Sequence, residues 1–399
     1  MSVSSLNDPA AGGRGTSKLL ISSYVIDWVL ILATGATGRI LNFAEPNRNP
    51  FLLTDPSISY PFAEHETVPP STLILVGLMA PAVIILLVSL LLAPGPKTDK
   101  YAPAALVWRR RLWEWNVGWM GLGIAYAGVY ATTEALKVIY GKPRPDLLSR
   151  CNPDVDDILP HAVGGLGKVL RGAPILVKWT ICQNRTEELT RDGFVSFPSG
   201  HASSSFAGLT YLTLWLCSKF SISFPYLAPR PFSRNTEPTT FSTTPLDEES
   251  HHHHTHTPPT TPHPPLRSQS AAAPTYLLLL AAAPIVAATY IASSRWFDNR
   301  HHGFDILFGA LLGVFFAYLG FRWYHVPLSA GGAGWAWGAR SAERAFFAGV
   351  GRSGFVGVDG AGVDDGRRNG KSTAMSSRAL GGGEGGSMSG LVSRVEGSA

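Results

Sequence analysis

The sequence is short of charged residues and of cysteine. Only 15% of its 399 residues are Asp, Glu, Lys or Arg and 45% are apolar, whereas soluble domains carry roughly 25% charged residues. The three cysteines, Cys151, Cys182 and Cys217, are too few for a disulfide-rich fold and are not spaced like zinc ligands. The formal net charge of +5 comes without a dense basic tract, which argues against nucleic-acid binding. These shortages favour a membrane protein.

The apolar residues are gathered into six blocks, each close to the roughly 20 helical residues that cross a bilayer core. The first block, from about Leu19, lacks a small-residue cleavage site, so we expect it to be a retained helix. Asp27 and Glu134 lie inside blocks, and each is either functional or nearer the interface than its block suggests. The predicted spans are about 19–37, 72–93, 116–136, 202–218, 275–293 and 304–321. The pattern predicts an all-α, polytopic membrane protein with a six-transmembrane-helix bundle.

Charge in the short connections predicts the orientation of the bundle. The connection 94–115 carries five Lys or Arg residues, whereas 38–71 carries two Arg against four Asp or Glu. Because Lys and Arg concentrate on the cytoplasmic side, both termini are predicted to be cytoplasmic and the loop 137–200 lumenal or extracellular. The Asn184-Arg185-Thr186 sequon in that loop agrees. Cys151 and Cys182 share the loop, and the sequence leaves open whether they form a disulfide.

The predicted domain organisation follows from these spans. Residues 1–18 form a cytoplasmic tail, 19–322 the six-span domain, and 323–399 a disordered Gly/Ser-rich cytoplasmic tail. A Pro/Thr/Ser-rich insertion at about 228–272 is also predicted to be disordered, and it contains the histidine tract 251–256. A low-complexity insertion is favoured there over a metal site, because no carboxylate or apolar shell would fix the ligand geometry. No metal and no cofactor are predicted.

Three polar clusters stand at the ends of predicted spans, all on one side of the bilayer. They are KVIYGKPRP at 137–145, FPSGH at 197–201 and SRWFDNRHHGFD at 294–305. These residue types suit phosphoryl transfer, which needs positioning and charge stabilisation more than covalent machinery. Three cations, Lys137, Arg144 and Arg295, are predicted to neutralise a phosphate dianion. Ser199 and the Gly200 amide, at the start of a helix, are predicted to bind its oxygens.

Two histidines are predicted to supply the remaining chemistry. His301 precedes Asp305 by four residues, so one helical turn would let the carboxylate orient one ring nitrogen and leave the other to attack phosphorus. His201 would protonate the leaving oxygen and then activate water. His302 has Ile306 at the corresponding position and is interpreted as a bystander.

Each residue also has a structural alternative. Taken singly, the three cations could extend to lipid headgroups, and His201 could cap a helix. The joint occurrence of the clusters at one membrane face favours the functional interpretation. Lys142 and Arg300 flank the site, and they either tune its potential or are solvated.

The spacings Lys-x6-Arg-Pro, Pro-Ser-Gly-His and Ser-Arg-x5-His-x3-Asp resemble the type 2 phosphatidic acid phosphatase superfamily. The resemblance covers about 19–322, and SISYPF at 57–62 is similar to fungal lipid phosphate and diacylglycerol pyrophosphate phosphatases. It implies a metal-independent membrane enzyme that hydrolyses lipid phosphates through a phosphohistidine. By position, His301 resembles the nucleophile, His201 the acid and Asp305 the partner of the nucleophile. The residues that resemble the phosphate-binding set are Lys137, Arg144, Ser199, Gly200 and Arg295.

Three alternatives stay open at this point. A lipid phosphotransferase would pass the group to a lipid alcohol, and a polyprenyl diphosphate phosphatase would use the same intermediate. A non-catalytic lipid-binding protein would keep the bundle without the chemistry, and intact His201, His301 and Asp305 argue against it. The expected partners are a lipid phosphate and the bilayer; the sequence indicates no headgroup preference, organelle or oligomeric state.

Overall fold

The computed structural model describes residues 18–92, 103–220, 222, 275–328, 336–338, 340 and 346. The predicted insertion at 228–272 and nearly all of both predicted tails lie outside the described residues. The chain forms two compact units, one of residues 1–20 with 340–399 and one of residues 21–339. Of the smaller unit, the structure describes only 18–20, 340 and 346. The larger unit holds all three polar clusters and is described below.

Long helices make up most of the described residues of the larger unit. They are α1 (Lys18–Phe43), α2 (Pro70–Leu92), α3 (Ala104–Tyr140), α6 (Gly200–Lys219), α7 (Thr275–Phe297) and α8 (Gly303–Tyr324), with the short α4 (Leu147–Cys151) and α5 (Glu187–Thr190) between α3 and α6. A π-helical turn, Leu75–Met79, lies in α2 just before Pro81. Short 3₁₀ turns are Pro56–Ile58, Leu159–His161, Leu166–Lys168, Trp179–Ile181 and Asp192–Phe194. The described part of the chain is thus mostly helical, as predicted.

Four of these helices, α1, α2, α7 and α8, are long and apolar enough to cross a membrane. Their outer faces expose large apolar side chains such as Leu32, Leu91, Val286 and Leu311, which is typical of a lipid-facing surface. The other two predicted spans, 116–136 and 202–218, lie inside α3 and α6, but these helices are not in the apolar set.

Burial explains the lower hydropathy of α6. Fourteen of its twenty residues are buried, because it packs against α2, α3, α7 and α8. Its serines, alanines and glycines let neighbouring backbones approach, as in other membrane bundles. A Cβ on Gly208 would lie 1.7 Å from the Gly77 carbonyl oxygen of α2, and one on Gly313 of α8 would lie 2.5 Å from the Ser203 oxygen. Helix α6 therefore faces protein and not lipid.

A small cap covers one end of the bundle and adds β-structure to the predicted all-α fold. Its antiparallel sheet has the order β1 (Phe51–Leu52), β3 (Leu176–Val177), β2 (Ala162–Gly164), with Phe51 and Ala162 both opposite Val177. Phe51, Leu147, Val177, Ile181 and Phe194 form its apolar core together with the cysteines. Cys151 and Cys182 form a disulfide with their Cα atoms 4.7 Å apart, which closes the alternative that the sequence left open. The strands form because the two long loops of this face bury a core of their own.

Candidate active site

The three polar clusters meet beneath the cap, at the ends of α3, α6 and α7. Lys137 lies in the last turn of α3, which ends at Gly141 with φ +54°, a conformation that glycine adopts without steric cost. Ser199 is the N-cap residue of α6, and its side chain accepts from the Ala202 amide at 3.4 Å. The Ser199 amide donates to the Asp305 carbonyl oxygen at 3.0 Å. This bond joins the second cluster to the third.

Lys137 joins the first cluster to the second. A Cβ on Gly200 would lie 3.0 Å from Lys137 Nζ, so glycine leaves the space that the ammonium group occupies. Lys137 Nζ also forms an ion pair with Glu134 Oε1 at 2.7 Å, and Glu134 is 5% exposed. Glu134 therefore lies in the protein interior, on the side of α3 that faces the site. Of the two alternatives for this residue, a functional group or a position nearer the membrane interface, its contact with Lys137 favours the functional group.

Arg144 joins the first cluster to the third. Its Nη1 donates to the Arg300 carbonyl oxygen at 3.0 Å and lies 3.5 Å from His301 Nε2. Its other donors bind Asp192, with Nη2 to Oδ1 and Nε to the carbonyl oxygen both at 2.7 Å. The guanidinium is thus fixed by the cap while one edge faces the ring of His301.

The surroundings of His301 define which ring nitrogen is free. Nδ1 lies 2.6 Å from the Ser196 carbonyl oxygen, and a carbonyl oxygen only accepts, so Nδ1 carries the proton of the neutral ring. The lone pair is then on Nε2, the nitrogen that faces Arg144. Burial and the Arg144 cation hold the pKa of His301 well below its usual range. At neutral pH the ring is therefore uncharged and can act as a nucleophile.

The structure corrects the predicted contact between Asp305 and His301. Asp305 Oδ1 accepts from Lys142 Nζ at 2.7 Å, and Oδ2 accepts from Ser196 Oγ at 2.6 Å. Oδ2 also lies 3.2 Å from His302 Nδ1 and 3.3 Å from the His302 amide nitrogen. The prediction was wrong because α8 begins at Gly303 with His302 as its N-cap residue. His301 is outside the helix, so the four-residue helical spacing does not apply to it.

Asp305 nevertheless supports His301 indirectly, through Ser196. The carboxylate binds the Ser196 hydroxyl, and the Ser196 carbonyl binds His301. Lys142 belongs to the same network, because it forms an ion pair with Asp305. Of the two alternatives given for this residue, a solvated side chain therefore does not apply. His302, interpreted above as a bystander, caps α8 and contacts the same carboxylate. Ser196 escaped the sequence analysis because a main-chain acceptor leaves no mark on residue type.

His201 and Arg295 meet at the segment that leads into α2. His201 Nε2 lies 3.0 Å from the Val68 carbonyl oxygen, and Arg295 Nη2 donates to the same atom at 3.1 Å. Arg295 also binds Glu66 Oε2 at 2.9 Å and Asp298 Oδ2 at 2.5 Å, and it is 1% exposed. Both side chains are therefore held by one loop of the cap face.

Every cation of the predicted phosphate-binding set has a carboxylate partner, and the sequence analysis missed most of these partners. The pairs are Lys137 with Glu134, Arg144 with Asp192, and Arg295 with Glu66 and Asp298. Asp192 also binds Arg150 and Arg300. Burial opposes its ionisation, but the arginines, Arg144 first, hold the pKa of Asp192 well below its usual range. Only Glu134 had a usable signal, its place inside a predicted span.

Among the residues that the structure describes, no group of three or more His, Cys, Asp or Glu side chains is arranged to hold a metal ion. The site brings together three cations, a helix N-terminus and a neutral imidazole with an unprotonated Nε2. That combination fits an anionic, tetrahedral group such as phosphate.

The clusters lie inside a region that matches a known family. The model of the PAP2 superfamily matches residues 118–327, which is more than half of the 399-residue chain. The chain belongs to the PAP2 superfamily. This confirms the resemblance stated from the three motifs, and the Lys137, His201 and His301 clusters of this PAP2 protein all lie within the match.

Individual relatives extend the comparison beyond that region. The PAP2 protein is 26% identical over 289 residues to diacylglycerol pyrophosphate phosphatase 1 of Saccharomyces cerevisiae, covering 72% of this chain and 74% of the yeast protein. It is 28% identical over 285 residues to the probable diacylglycerol pyrophosphate phosphatase 1 of Schizosaccharomyces pombe, covering 71% and 74%. It is 25% identical over 210 residues to the probable lipid phosphate phosphatase 4 of Arabidopsis thaliana, covering 50% and 54%. No solved structure matches the chain significantly.

Proposed function

We propose that this protein is an integral membrane lipid phosphate phosphatase that acts through a phosphohistidine on His301. The observation that carries the proposal is the hydrogen bond from His301 Nδ1 to the Ser196 carbonyl, which leaves Nε2 unprotonated beside Arg144. The substrate class, phosphomonoesters or pyrophosphates of lipids, is supported by the names of the yeast and plant relatives.

In the first step, His301 Nε2 attacks phosphorus and the bond from phosphorus to the leaving oxygen breaks. Lys137, Arg144, Arg295 and the Gly200 amide stabilise the charge on the equatorial oxygens. His201, as the imidazolium formed when the phosphate dianion binds, gives its Nε2 proton to the leaving oxygen and becomes neutral imidazole, and the leaving group departs as a lipid alcohol or a lipid monophosphate. For this transfer, His201 exchanges its bond to the Val68 carbonyl for one to the leaving oxygen.

In the second step, a water molecule attacks the phosphohistidine. His201, now deprotonated, takes a proton from the water, and the bond between phosphorus and Nε2 breaks to release inorganic phosphate. The carboxylate partners keep the cations in place throughout. Asp192 in particular holds Arg144 with Nη1 towards His301.

We also propose the six-span arrangement for residues 19–322, with both termini cytoplasmic and the site on the lumenal or extracellular side. The protein environment of α6 supports its assignment as a span, since a helix surrounded by other helices needs less apolar surface. The disulfide in the cap supports the non-cytoplasmic side, because disulfides persist in oxidising compartments.

The test is a comparison of purified wild-type protein with His301→Ala and His201→Ala in detergent micelles containing EDTA. Wild-type protein is expected to release phosphate from phosphatidic acid and diacylglycerol pyrophosphate, and both variants are expected to lose this activity. Labelled substrate is expected to leave acid-labile phosphohistidine on wild-type protein and none on His301→Ala. Full activity in either variant, or a strict magnesium requirement, would contradict the mechanism.

The same assay separates the alternatives from the proposal. Adding an acceptor lipid alcohol converts the product from inorganic phosphate to a phospholipid if the protein is a transferase. Competition by a polyprenyl diphosphate distinguishes that substrate from glycerolipids. The absence of phosphate release from every lipid would favour the non-catalytic lipid-binding protein.

A further inference from the structure

We infer that a side cavity next to the active site is a second phosphate-binding subsite. The cavity has a volume of about 460 Å³ and lies between the ends of α1 and α3 and the cap segment around α5. Its lining includes Arg39, Asn42, Phe43, Lys137, Arg191 and Arg300. Apart from Lys137, these residues belong to neither the phosphate-binding set nor the catalytic histidines. The inference rests on the proposed function for the identity of the ligand.

Two arginines converge at the mouth of the side cavity. Arg39 Nη1 donates to Asn42 Oδ1 at 3.1 Å, and Arg191 Nη2 approaches the same oxygen at 3.5 Å. Both guanidinium groups also lie over the Phe43 ring, at 4.3 Å and 5.2 Å from its centroid. Two cations held this close repel each other unless an anion lies between them.

That anion is not supplied by the described part of the chain. Neither Arg39 nor Arg191 forms an ion pair with any described carboxylate, whereas the cations of the active site all do. Four carboxylates border the cavity, and none of them forms an ion pair with these two arginines. Glu134 is paired with Lys137, Asp192 is paired with Arg144, Arg150 and Arg300, and Glu187 and Glu188 are exposed. The guanidinium donors that do not contact Asn42 or Tyr130 are therefore the ones that a phosphate in the cavity would use.

The side cavity is connected to the phosphate-binding set through Asn42. Asn42 Nδ2 donates to Glu134 Oε2 at 3.0 Å, and Glu134 Oε1 binds Lys137 Nζ at 2.7 Å. Lys137 itself borders both the cavity and Gly200. A phosphate that leaves the active site past Lys137 thus meets Arg39 and Arg191 next.

The lining indicates which phosphate enters. The residues around the proposed acid His201, namely Val68, Glu66 and Arg295, do not line the side cavity, whereas Arg300, next to the nucleophile, does. The lipid leaving group departs on the His201 side, so the cavity fits the phosphate freed from phospho-His301. A second phosphate of a lipid pyrophosphate has the same chemistry, and the experiment separates these two sources.

The experiment compares Arg39→Gln/Arg191→Gln with the control Arg185→Gln in full-length protein in detergent micelles. Arg185 is an exposed arginine of the same cap face, bonded to the Thr180 carbonyl and outside the cavity lining. Three quantities are measured: inhibition of diacylglycerol formation by added inorganic phosphate, KM for a lipid pyrophosphate against a lipid monophosphate, and calorimetric binding of inorganic phosphate.

The double variant is expected to need about a hundredfold more inorganic phosphate for half inhibition, since it loses two charged hydrogen bonds and each is worth about tenfold. Its kcat/KM for phosphatidic acid is expected to stay within about twofold. Arg191→Lys keeps the charge without the planar fork, so it is expected to lose less phosphate affinity than Arg191→Gln but not to match the wild type. A rise in KM for the pyrophosphate alone would also support the subsite and assign it to the lipid's second phosphate.

Phosphate inhibition, KM and calorimetric affinity that all equal those of Arg185→Gln would overturn the inference. A wild-type protein that hydrolyses no lipid would contradict the proposed function instead. In that case the calorimetric comparison still decides the subsite, because it requires no turnover.

Discussion

Both ends of the helix bundle bury charged and titratable groups, yet the two ends are built differently. At the cap end, Arg144 contacts His301, and Arg295 shares the Val68 carbonyl oxygen with His201. Carboxylates bind the other donors of both arginines. At the opposite end, Lys219 binds Glu114, and Glu114 also accepts from the Ala336 amide. This cluster is electrically neutral, because the charges of Lys219 and Glu114 compensate each other. Buried charge alone therefore does not make a site; cations must converge on a free nucleophile.

Two buried histidines make the same contrast. His301 has a fixed tautomer, set by the Ser196 carbonyl. His325 stacks on Phe321 with centroids 4.9 Å apart, and neither ring nitrogen has a hydrogen-bond partner among the described residues. One ring is oriented for reaction and the other fills space.

The largest effect is expected from a substitution of His301, which tests its contrast with His325 directly. Replacing the proposed nucleophile, His301→Ala, is expected to lower kcat at least about a thousandfold, because the covalent step of the proposed mechanism is lost. His325→Phe, which keeps an aromatic ring against Phe321, is expected to leave kcat within about threefold. Steady-state phosphate release measures both, and equal losses in the two variants would refute the contrast.

The disulfide provides the second test, since it stabilises only the cap end. Its two cysteines are 31 residues apart, and closing such a loop stabilises a fold by about 3 kcal/mol. Cys151→Ser/Cys182→Ser is expected to speed amide hydrogen exchange around β3 by about a hundredfold. Cys217→Ser, in α6, is the control, and it is expected to leave exchange in the cap unchanged.

The third test concerns the indirect support of His301. Asp305→Asn weakens the bonds to Lys142 and Ser196 while the Ser196 carbonyl stays in place. We expect kcat to fall about tenfold to fiftyfold with little change in KM, a loss matching one or two charged hydrogen bonds. Ser196→Ala, which removes only the hydroxyl, is expected to cause a smaller loss of kcat. A fall as deep as that of His301→Ala would indicate direct contact of Asp305 with the nucleophile during the reaction.

The smallest expected effect compares the two lysine–glutamate pairs. Glu134→Gln releases Lys137 from its position beside Gly200, so KM is expected to rise about fivefold with kcat nearly unchanged. The matched change at the other end, Glu114→Gln, disturbs Lys219 far from phosphate and is expected to leave KM as it is. Substrate-saturation curves on a lipid monophosphate test both expectations.

Sequence patterns predicted the assembly of the site better than its internal contacts. The positions of the clusters at helix ends indicated that they lie together, and in the structure Lys137 lies beside Gly200 and Arg144 beside His301. The same reasoning failed for Asp305, because helical spacing holds only inside a helix and His301 lies one residue before the N-cap. Local pattern thus predicts which segments meet, whereas cap geometry decides which atoms touch.

The helices of the fold also differ in how well the sequence predicted them. Hydropathy identified α1, α2, α7 and α8, which are long and apolar enough to cross a membrane. It was a weaker guide to α6, because a helix buried among others needs small residues for close packing more than apolar ones. The partners Glu66 and Asp192 come from loops distant in sequence, and no local periodicity predicts such long-range pairs.

The acceptor that orients His301 is a main-chain atom, and this affects how the protein responds to mutation. Every amino acid at position 196 brings a carbonyl oxygen, so no substitution there removes the bond to Nδ1. A mutational scan would score Ser196 by its hydroxyl alone and would underrate the position. Replacing the following peptide bond with an ester would weaken that carbonyl as an acceptor and reveal the contribution that side-chain exchange conceals.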